Sequence, residues 1–122
     1  MQTLKTTFMT FFLSMMAVVV NAAPSNLGGG TVMGKIKAKV VSKDYRAAIV
    51  DLKEFVKKDS ENANAYNLLG FSHRKLQQYD VAESYYQKAL TLNPEHVGAL
   101  EYLGELYLET DRPEKAQEML ER

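Results

Sequence analysis

Apolar and polar positions follow a helical period through most of the chain. Val32, Ile36 and Val40 lie four positions apart, which places them on one face of a helix. A brief Lys-x-Lys-x-Lys alternation in the same stretch has the two-residue period of a strand, but the apolar spacing there favours a helix. No other segment shows a clean two-residue period, so the pattern predicts an all-α fold from residue 31 to residue 122.

Residue types also recur at a spacing of 34. Gly70 and Gly104 each follow a leucine, and the difference between their numbers is 104 − 70 = 34. Ala82 and Ala116 show the same separation, 116 − 82 = 34. The spacing also relates Tyr45 to Tyr79 and Ala48 to Ala82. A fixed period of this length indicates a stack of helix-turn-helix units that share one continuous core.

The central unit, residues 63–96, resembles the tetratricopeptide repeat. The residues that carry the resemblance are Tyr66, Leu69, Gly70, Tyr79, Ala82, Tyr86, Ala89 and Pro94. The small residues of this set let two antiparallel helices approach closely, while the large ones fill the space around the contact. The resemblance implies an all-α tetratricopeptide repeat solenoid of about three helix-turn-helix units, at residues 31–62, 63–96 and 97–122.

The flanking units match the repeat pattern less well. In the first unit, Ile36 stands where the pattern has glycine. The third unit keeps Leu103, Gly104 and Ala116, but the sequence reaches Arg122 before the second helix of the unit has the length of the central one. We therefore expect a truncated last unit with an apolar edge. Such an end is expected to fray, to self-associate with another molecule, or to belong to a longer protein of which this chain is a fragment, and the absence of a capping helix favours the last of these.

The N-terminal segment, residues 1–30, lies outside the repeat pattern. A lysine precedes an apolar run at residues 8–20, and Val20 and Ala22 occupy the two small positions that a signal peptidase requires. We therefore predict a signal peptide at residues 1–22, cleaved after Ala22, and then a flexible Gly-, Ser- and Pro-containing linker at residues 23–30. The run is shorter than the roughly 20 apolar residues of a spanning helix. No stable membrane span is expected after cleavage, and the protein is expected in a bacterial periplasm or secreted.

Composition and charge exclude several classes of function. The chain has no cysteine, which removes disulfides, thiol nucleophiles and zinc fingers. Its formal net charge of zero argues against nucleic-acid binding, because that binding depends on an excess of Lys and Arg against phosphate. Residues 35–58 hold eight basic and three acidic residues, whereas residues 95–122 hold eight acidic and three basic ones. The domain is therefore predicted to be electrically polar.

The residue pattern does not favour a catalytic or metal-binding site. Ser72 and His73 are adjacent in sequence, and neighbours on a helix point in different directions rather than toward each other. His96, the other histidine, is far along the chain from His73 and lacks the short spacing of a metal site. We therefore predict a packing role for His73, no enzymatic activity, no metal and no cofactor. Most of the seven tyrosines fall at core positions, and Tyr85 and Tyr102 are expected to be the exposed ones.

The resemblance also implies a concave groove lined by the first helix of each unit. It assigns to this groove Asn64, Asn67, Phe71, Arg74 and Lys75 from the central unit, and Glu101, Glu105, Leu108 and Glu109 from the third. Some relatives grip the terminal carboxylate of a partner with Lys, Arg and Asn side chains, but Glu101 and Glu105 would repel such a group. A groove that is basic at one end and acidic at the other predicts a partner peptide or helix of mixed charge.

The function predicted from the sequence is that of an exported scaffold or adaptor, which binds a protein or peptide of unknown identity in its groove. Two alternatives are open at this point. One is a glycan-binding module or an enzyme accessory domain that uses the exposed tyrosines. The other is a self-assembling adaptor whose basic and acidic ends meet head to tail.

Overall fold

The computed structural model describes residues 31–122, which fold into six α-helices with no strand among them. The helices are α1 (Val32–Val41), α2 (Tyr45–Lys58), α3 (Ala63–Lys75), α4 (Tyr79–Leu92), α5 (Val97–Glu109) and α6 (Pro113–Leu120). Each helix packs against the next, and α5 also contacts α3. The predicted all-α repeat solenoid is confirmed. The predicted signal peptide at residues 1–22 and linker at residues 23–30 lie outside the described residues.

Side-chain caps fix the starts of the first three helices. Thr31, Asp44 and Asn62 each accept a hydrogen bond from the backbone N–H three positions later, at 3.0, 3.3 and 3.0 Å. Such caps satisfy backbone donors that have no partner inside the helix. α6 begins instead with Pro113, whose missing N–H costs nothing at the first helical position.

The turn inside each helical pair has the same backbone conformation. Lys43, Gln77 and Asp111 have positive φ angles of 63°, 59° and 56°. They follow the repeat spacing, since 77 − 43 and 111 − 77 both equal 34. In the second pair, Gln78 donates its backbone N–H to the carbonyl of His73 at 3.0 Å, and the other two turns make the equivalent bond. This bond is typical of the Schellman motif that ends a helix, although glycine usually occupies the left-handed position.

The core consists of two hydrophobic clusters, one on each side of the central pair. Ile36, Leu52 and Leu69 belong to the first cluster, between the first and second pairs. In the second cluster, Tyr86 is fully buried and lies against Gly70. A Cβ atom placed on Gly70 would lie only 2.6 Å from Cδ1 of Tyr86. The close helix contact predicted at Gly70 is therefore present.

An ion pair ties the start of α6 to α4. Arg112 Nη2 lies 2.8 Å from Glu83 Oε2, and the guanidinium carbon of Arg112 lies 4.7 Å from the ring centroid of Tyr107. Burial acts to raise the pKa of Glu83, but the hydrogen bond and charge of Arg112 outweigh it, so this pKa is lowered.

Within residues 31–122, none of the helices has both the length and the apolar character needed to cross a membrane.

Candidate functional site

The first helices of the second and third pairs bring together the residues assigned to the groove. We call this surface the first-helix face, and it consists of Asn64, Asn67, Phe71, Arg74 and Lys75 on α3 and Glu101, Glu105, Leu108 and Glu109 on α5. Asn64, Lys75 and the four α5 residues are exposed, and Phe71 is half-buried. Asn67 and Arg74 are only 8% and 7% exposed, so these two side chains are largely withdrawn from the surface.

Arg74 joins the two halves of the first-helix face. Its Nε and Nη2 atoms donate to Glu109 Oε1 at 3.0 and 2.7 Å, and Nη2 also donates to Glu105. Burial acts to lower the pKa of Arg74, but the bonds to the two carboxylates outweigh it and hold this pKa above its usual value. Arg74 is therefore a permanent cation that links α3 to α5, and two carboxylates already match its charge.

Phe71 is the centre of a row of three aromatic rings that runs from α2 to α5. Its ring centroid lies 6.1 Å from that of Tyr45 and 5.1 Å from that of Tyr102. Lys75 Nζ lies 5.3 Å from the ring centroid of Phe71, which is within the range of cation–π attraction. Because Phe71 is half-buried, the face offers apolar ring surface directly beside a positive charge.

His96 has a role that the sequence analysis did not assign to it. It is the N-cap of α5: its Nδ1 accepts the backbone N–H of Ala99 at 3.0 Å. Its Nε2 lies 2.7 Å from Oδ1 of Asn64. Because Nδ1 must accept, the proton of the neutral imidazole is on Nε2, which donates to Asn64. One side chain therefore caps α5 and positions Asn64 at the edge of the face.

Replacement of His96 by Ala should lower the free energy of unfolding by about 1 kcal/mol, because α5 loses its side-chain cap. His96→Asn is the matched control, since asparagine is among the best N-cap residues and should retain most of the stability. Thermal unfolding followed by circular dichroism would measure both variants. An equal loss of stability in the two would contradict the capping role.

His73 packs inside the central pair. Its Nδ1 lies 2.6 Å from Oε1 of Gln78, and its ring stacks on Tyr85 at a centroid distance of 5.4 Å. His73 thus hydrogen-bonds to Gln78 and not to the adjacent Ser72, so the packing role predicted for it is confirmed. Within residues 31–122, the structure places no group of three or more His, Cys, Asp or Glu residues where they could hold a metal ion.

The expectation that Tyr85 and Tyr102 are exposed is wrong. Both are half-buried. The ring of Tyr85 stacks on that of Tyr66 at 6.3 Å, and the ring of Tyr102 lies 6.3 Å from that of Tyr86. Each ring fills space between neighbouring helices, which the sequence spacing alone did not reveal. The structure therefore lacks, at these two positions, the exposed tyrosine platforms on which the glycan-binding alternative depends.

The apolar edge expected at the third unit is present as an open groove. This groove, which we call the end groove, lies between α5 and α6 and has a volume of about 630 Å³. Its apolar lining includes Leu100, Gly104, Leu108, Ala116, Met119 and Leu120. Glu101, Glu105 and Leu108 line the end groove as well as belonging to the first-helix face. The two surfaces therefore share one edge, along α5.

The three helical pairs, with their repeated turns and shared core, define an all-α helical repeat protein. Residues 61–122 match the family model described as tetratricopeptide repeat, and this match covers half of the chain. The chain belongs to the tetratricopeptide repeat family.

Similar sequences occur as parts of longer proteins. The chain is 42% identical to a DnaJ protein P58IPK homolog of Arabidopsis thaliana over 62 residues, which are 51% of this chain and 13% of that protein. It is 39% identical to the uncharacterized protein ycf37 of Guillardia theta over 57 residues, which are 47% of this chain and 32% of that protein. The matched region thus spans a third or less of the length of these relatives.

Two solved structures show the same fold. MamA of Desulfovibrio magneticus RS-1 superimposes with a TM-score of 0.69 at 26% identity, over 75% of this chain and 53% of that one. The second TPR of Spaghetti (RPAP3), bound to the HSP90 peptide SRMEEVD, superimposes with a TM-score of 0.70. Its identity is 19%, over 74% of this chain and 83% of that one, so this likeness concerns the fold alone.

Proposed function

We propose that this chain is a non-enzymatic interaction module that binds a peptide of mixed charge on the first-helix face. We further propose that it acts as an exported scaffold or adaptor, in a periplasm or secreted. The signal-peptide pattern of residues 1–22 supports export. The partner is a protein or peptide, and the charge pattern of the face defines its chemistry.

The observation that carries the proposal is the pairing of Arg74 inside the face. Because Arg74 is paired with Glu105 and Glu109, a group that carries one net negative charge, the unpaired groups left for a partner are Lys75 on α3 and Glu101 on α5. Neither of these two takes part in an ion pair within residues 31–122. The half-buried ring of Phe71 adds apolar surface on α3. A peptide with an acidic and a basic group on either side of an apolar residue complements this arrangement.

Proteins with the same fold support this class of function. The RPAP3 repeat domain was solved with a peptide of HSP90, and SycD of Yersinia enterocolitica is a type III secretion translocator chaperone. Their identities to this chain, 19% and 17%, do not transfer a partner. Both are proteins with this fold that engage other polypeptides. In the present chain, the residues of the first-helix face determine the peptide preference that we propose.

Three 12-residue peptides with the same apolar centre would test the proposal: one of mixed charge, one acidic and one basic. Fluorescence anisotropy should show that the mixed peptide binds most tightly, by about tenfold or about 1.4 kcal/mol. Lys75→Glu should weaken binding of the mixed peptide and strengthen binding of the basic one, because the face then carries only unmatched carboxylates.

The matched control for this test is Lys53→Glu, which makes the same charge change at an exposed position on α2. It should leave the order of the three affinities unchanged. Equal affinity of all three peptides would contradict the proposed preference. An effect of Lys53→Glu as large as that of Lys75→Glu would show that net charge, rather than the first-helix face, controls binding.

A further inference from the structure

Phe71 occupies a position that is not apolar in the other two units. Its equivalents are Lys37 and Glu105, because each of these numbers differs from 71 by the repeat length of 34. Both equivalents are charged and exposed. Core positions, by contrast, hold the same residue in successive units, as at Ala48 and Ala82. Packing of the repeat therefore does not require an aromatic ring at position 71.

The ring of Phe71 belongs to a row that crosses three helices. We call Tyr45, Phe71 and Tyr102 the aromatic row, and all three residues are half-buried, so each keeps part of its ring exposed. The hydroxyl groups of Tyr45 and Tyr102 make no hydrogen bond to another residue within residues 31–122. The aromatic row therefore combines apolar ring surface with two hydroxyl groups that can donate to a ligand.

Asn64 adds a donor on the same side of α3. It lies seven residues before Phe71, which is about two helical turns, so the two residues share one face of the helix. Its Oδ1 accepts from Nε2 of His96 at 2.7 Å, which turns its Nδ2 group away from the histidine. In the part of the chain that the structure describes, this Nδ2 group makes no hydrogen bond. It can therefore donate to a ligand that lies along α3.

These free donors indicate the backbone conformation of the ligand. A peptide in an α-helix uses most of its carbonyl groups internally. A peptide in a β-strand needs alternating backbone donors and acceptors from a sheet edge, which a surface of helices does not offer. A polyproline II segment has no internal hydrogen bonds, so its carbonyl groups remain free to accept. Proline also has no backbone N–H, so it brings no donor that would need a partner.

The length of the aromatic row fits one turn of a polyproline II helix. The ring centroids are separated by steps of 6.1 and 5.1 Å, so the centroids of Tyr45 and Tyr102 are at most the sum of these steps apart. One turn of polyproline II contains three residues and is roughly 9 Å long. Two prolines three positions apart can therefore contact both tyrosine rings at once, as proline-rich segments do in aromatic grooves.

We propose that the peptide bound on the first-helix face is a proline-rich segment in the polyproline II conformation that lies across the aromatic row. This inference rests on the proposed function, because it names the apolar part of the mixed-charge peptide. Prolines three positions apart contact Tyr45 and Tyr102. The hydroxyl groups of these tyrosines and Nδ2 of Asn64 donate to carbonyl groups of the peptide. Acidic and basic residues on either side of the prolines meet Lys75 and Glu101.

Two 12-residue peptides with identical mixed-charge flanks would test this inference. The first has Pro-Pro-Ala-Pro at its centre, and the second has leucine in place of each proline. Fluorescence anisotropy should show that the proline peptide binds at least about tenfold more tightly, because its restricted backbone loses less conformational freedom on binding. Titration of ¹⁵N-labelled protein with this peptide should shift the backbone signals of Phe71 and Tyr102 and the side-chain amide signals of Asn64.

Three protein variants address the aromatic row. Phe71→Ala removes the central ring and should weaken the proline peptide by about tenfold or more. Phe71→Gln should have a similar effect, and it places a polar side chain at a position that is polar in both other units. Tyr45→Phe removes only a hydroxyl group and should weaken binding by about threefold.

Tyr79→Phe is the matched control for Tyr45→Phe. Tyr79 is the equivalent residue of the next unit, 34 positions later, and it is also half-buried. Its hydroxyl group lies outside the aromatic row, so this variant should bind the proline peptide like the parent protein. Thermal unfolding would verify that all four variants remain folded.

The results that would overturn this inference differ from those that would overturn the proposed function. Equal affinity of the proline and leucine peptides would remove the proline preference and leave the mixed-charge site in place. A proline peptide that binds equally well with acidic, basic or mixed flanks would contradict the charge preference but support the aromatic row. Absence of binding by both peptides would contradict both proposals.

Two further results would assign the aromatic row differently. Affinity for the proline peptide that is unaffected by Phe71→Ala and Phe71→Gln would place this peptide elsewhere on the protein. Saturable binding of a neutral oligosaccharide such as chitotetraose, lost in Phe71→Ala and without binding of the proline peptide, would assign the row to a sugar.

Discussion

Gly70→Ala should lower the free energy of unfolding by about 1–3 kcal/mol, although alanine is a far better helix former than glycine. The reason is the fully buried ring of Tyr86, whose Cγ, Cδ1 and Cε1 atoms would all lie within 2.9 Å of the new Cβ. A ring enclosed on every side cannot rotate away without displacing its neighbours, because protein interiors are closely packed.

Gly104→Ala is the matched control, because it makes the same change at the equivalent position of the next unit. The new Cβ there would meet atoms only at 3.7 Å and beyond. This variant should therefore keep or raise the stability, by up to about 1 kcal/mol from helix propensity alone. Both changes carry the same propensity gain, so the difference between the two variants measures the clash with Tyr86.

Chemical denaturation would give the free energy of unfolding of each variant. Thermal unfolding should show melting temperatures that differ by several degrees, since about 1 kcal/mol corresponds to about 4–8 °C in a domain of this size. If Gly70→Ala proved as stable as Gly104→Ala, Tyr86 would have room to move and the close contact would not explain the glycine. Tyr86→Leu should then cost the same free energy in the Gly70→Ala background as in the parent protein, whereas the close contact predicts a smaller cost in the Gly70→Ala background.

The sequence was sufficient to predict those features that the repeat period itself specifies. The regular repeat spacing predicted the all-α helical repeat, and the recurrence of Leu-Gly predicted the close contact at Gly70. His73 was correctly assigned to packing, because no second metal ligand lies at a suitable spacing and the adjacent Ser72 points in a different direction on the helix. These conclusions depend on local spacing, which a single sequence displays directly.

The remaining features depend on residues that are far apart in sequence or that carry no distinctive residue type. Arg74 meets Glu105 and Glu109 from a different repeat unit, so its burial and neutralisation were not visible in the pattern of charges. The left-handed turn positions hold Lys43 and Gln77 rather than glycine, and they gave no turn signal. The sequence therefore placed these residues on the first helices of their pairs but did not indicate which of them have free charges.

Arg74→Met should destabilise the domain by about 2–3 kcal/mol, which would make Arg74 the most costly residue of the first-helix face to replace. Methionine fills much of the buried volume, so the expected loss comes mainly from the two carboxylates that remain. Glu105 and Glu109, which lie four positions apart on α5, would then be neighbours with no cation between them. Their side chains are 46% and 39% exposed, so the loss should fall below the roughly 3–5 kcal/mol typical of a fully buried broken pair.

A variant that combines Arg74→Met with Glu105→Gln and Glu109→Gln separates the lost charge pairing from the lost packing. Neutral amides do not repel each other, so this variant should recover at least about half of the stability lost by Arg74→Met, as residues coupled in one network require. The double variant with both glutamines but an intact Arg74 should itself be destabilised, because it leaves a buried guanidinium without a counter-charge.

Urea unfolding of the parent protein and these three variants completes the thermodynamic mutant cycle. Additive effects would mean that Arg74 stabilises the face through packing alone, and the charges of Glu105 and Glu109 would then be available to a bound peptide after all.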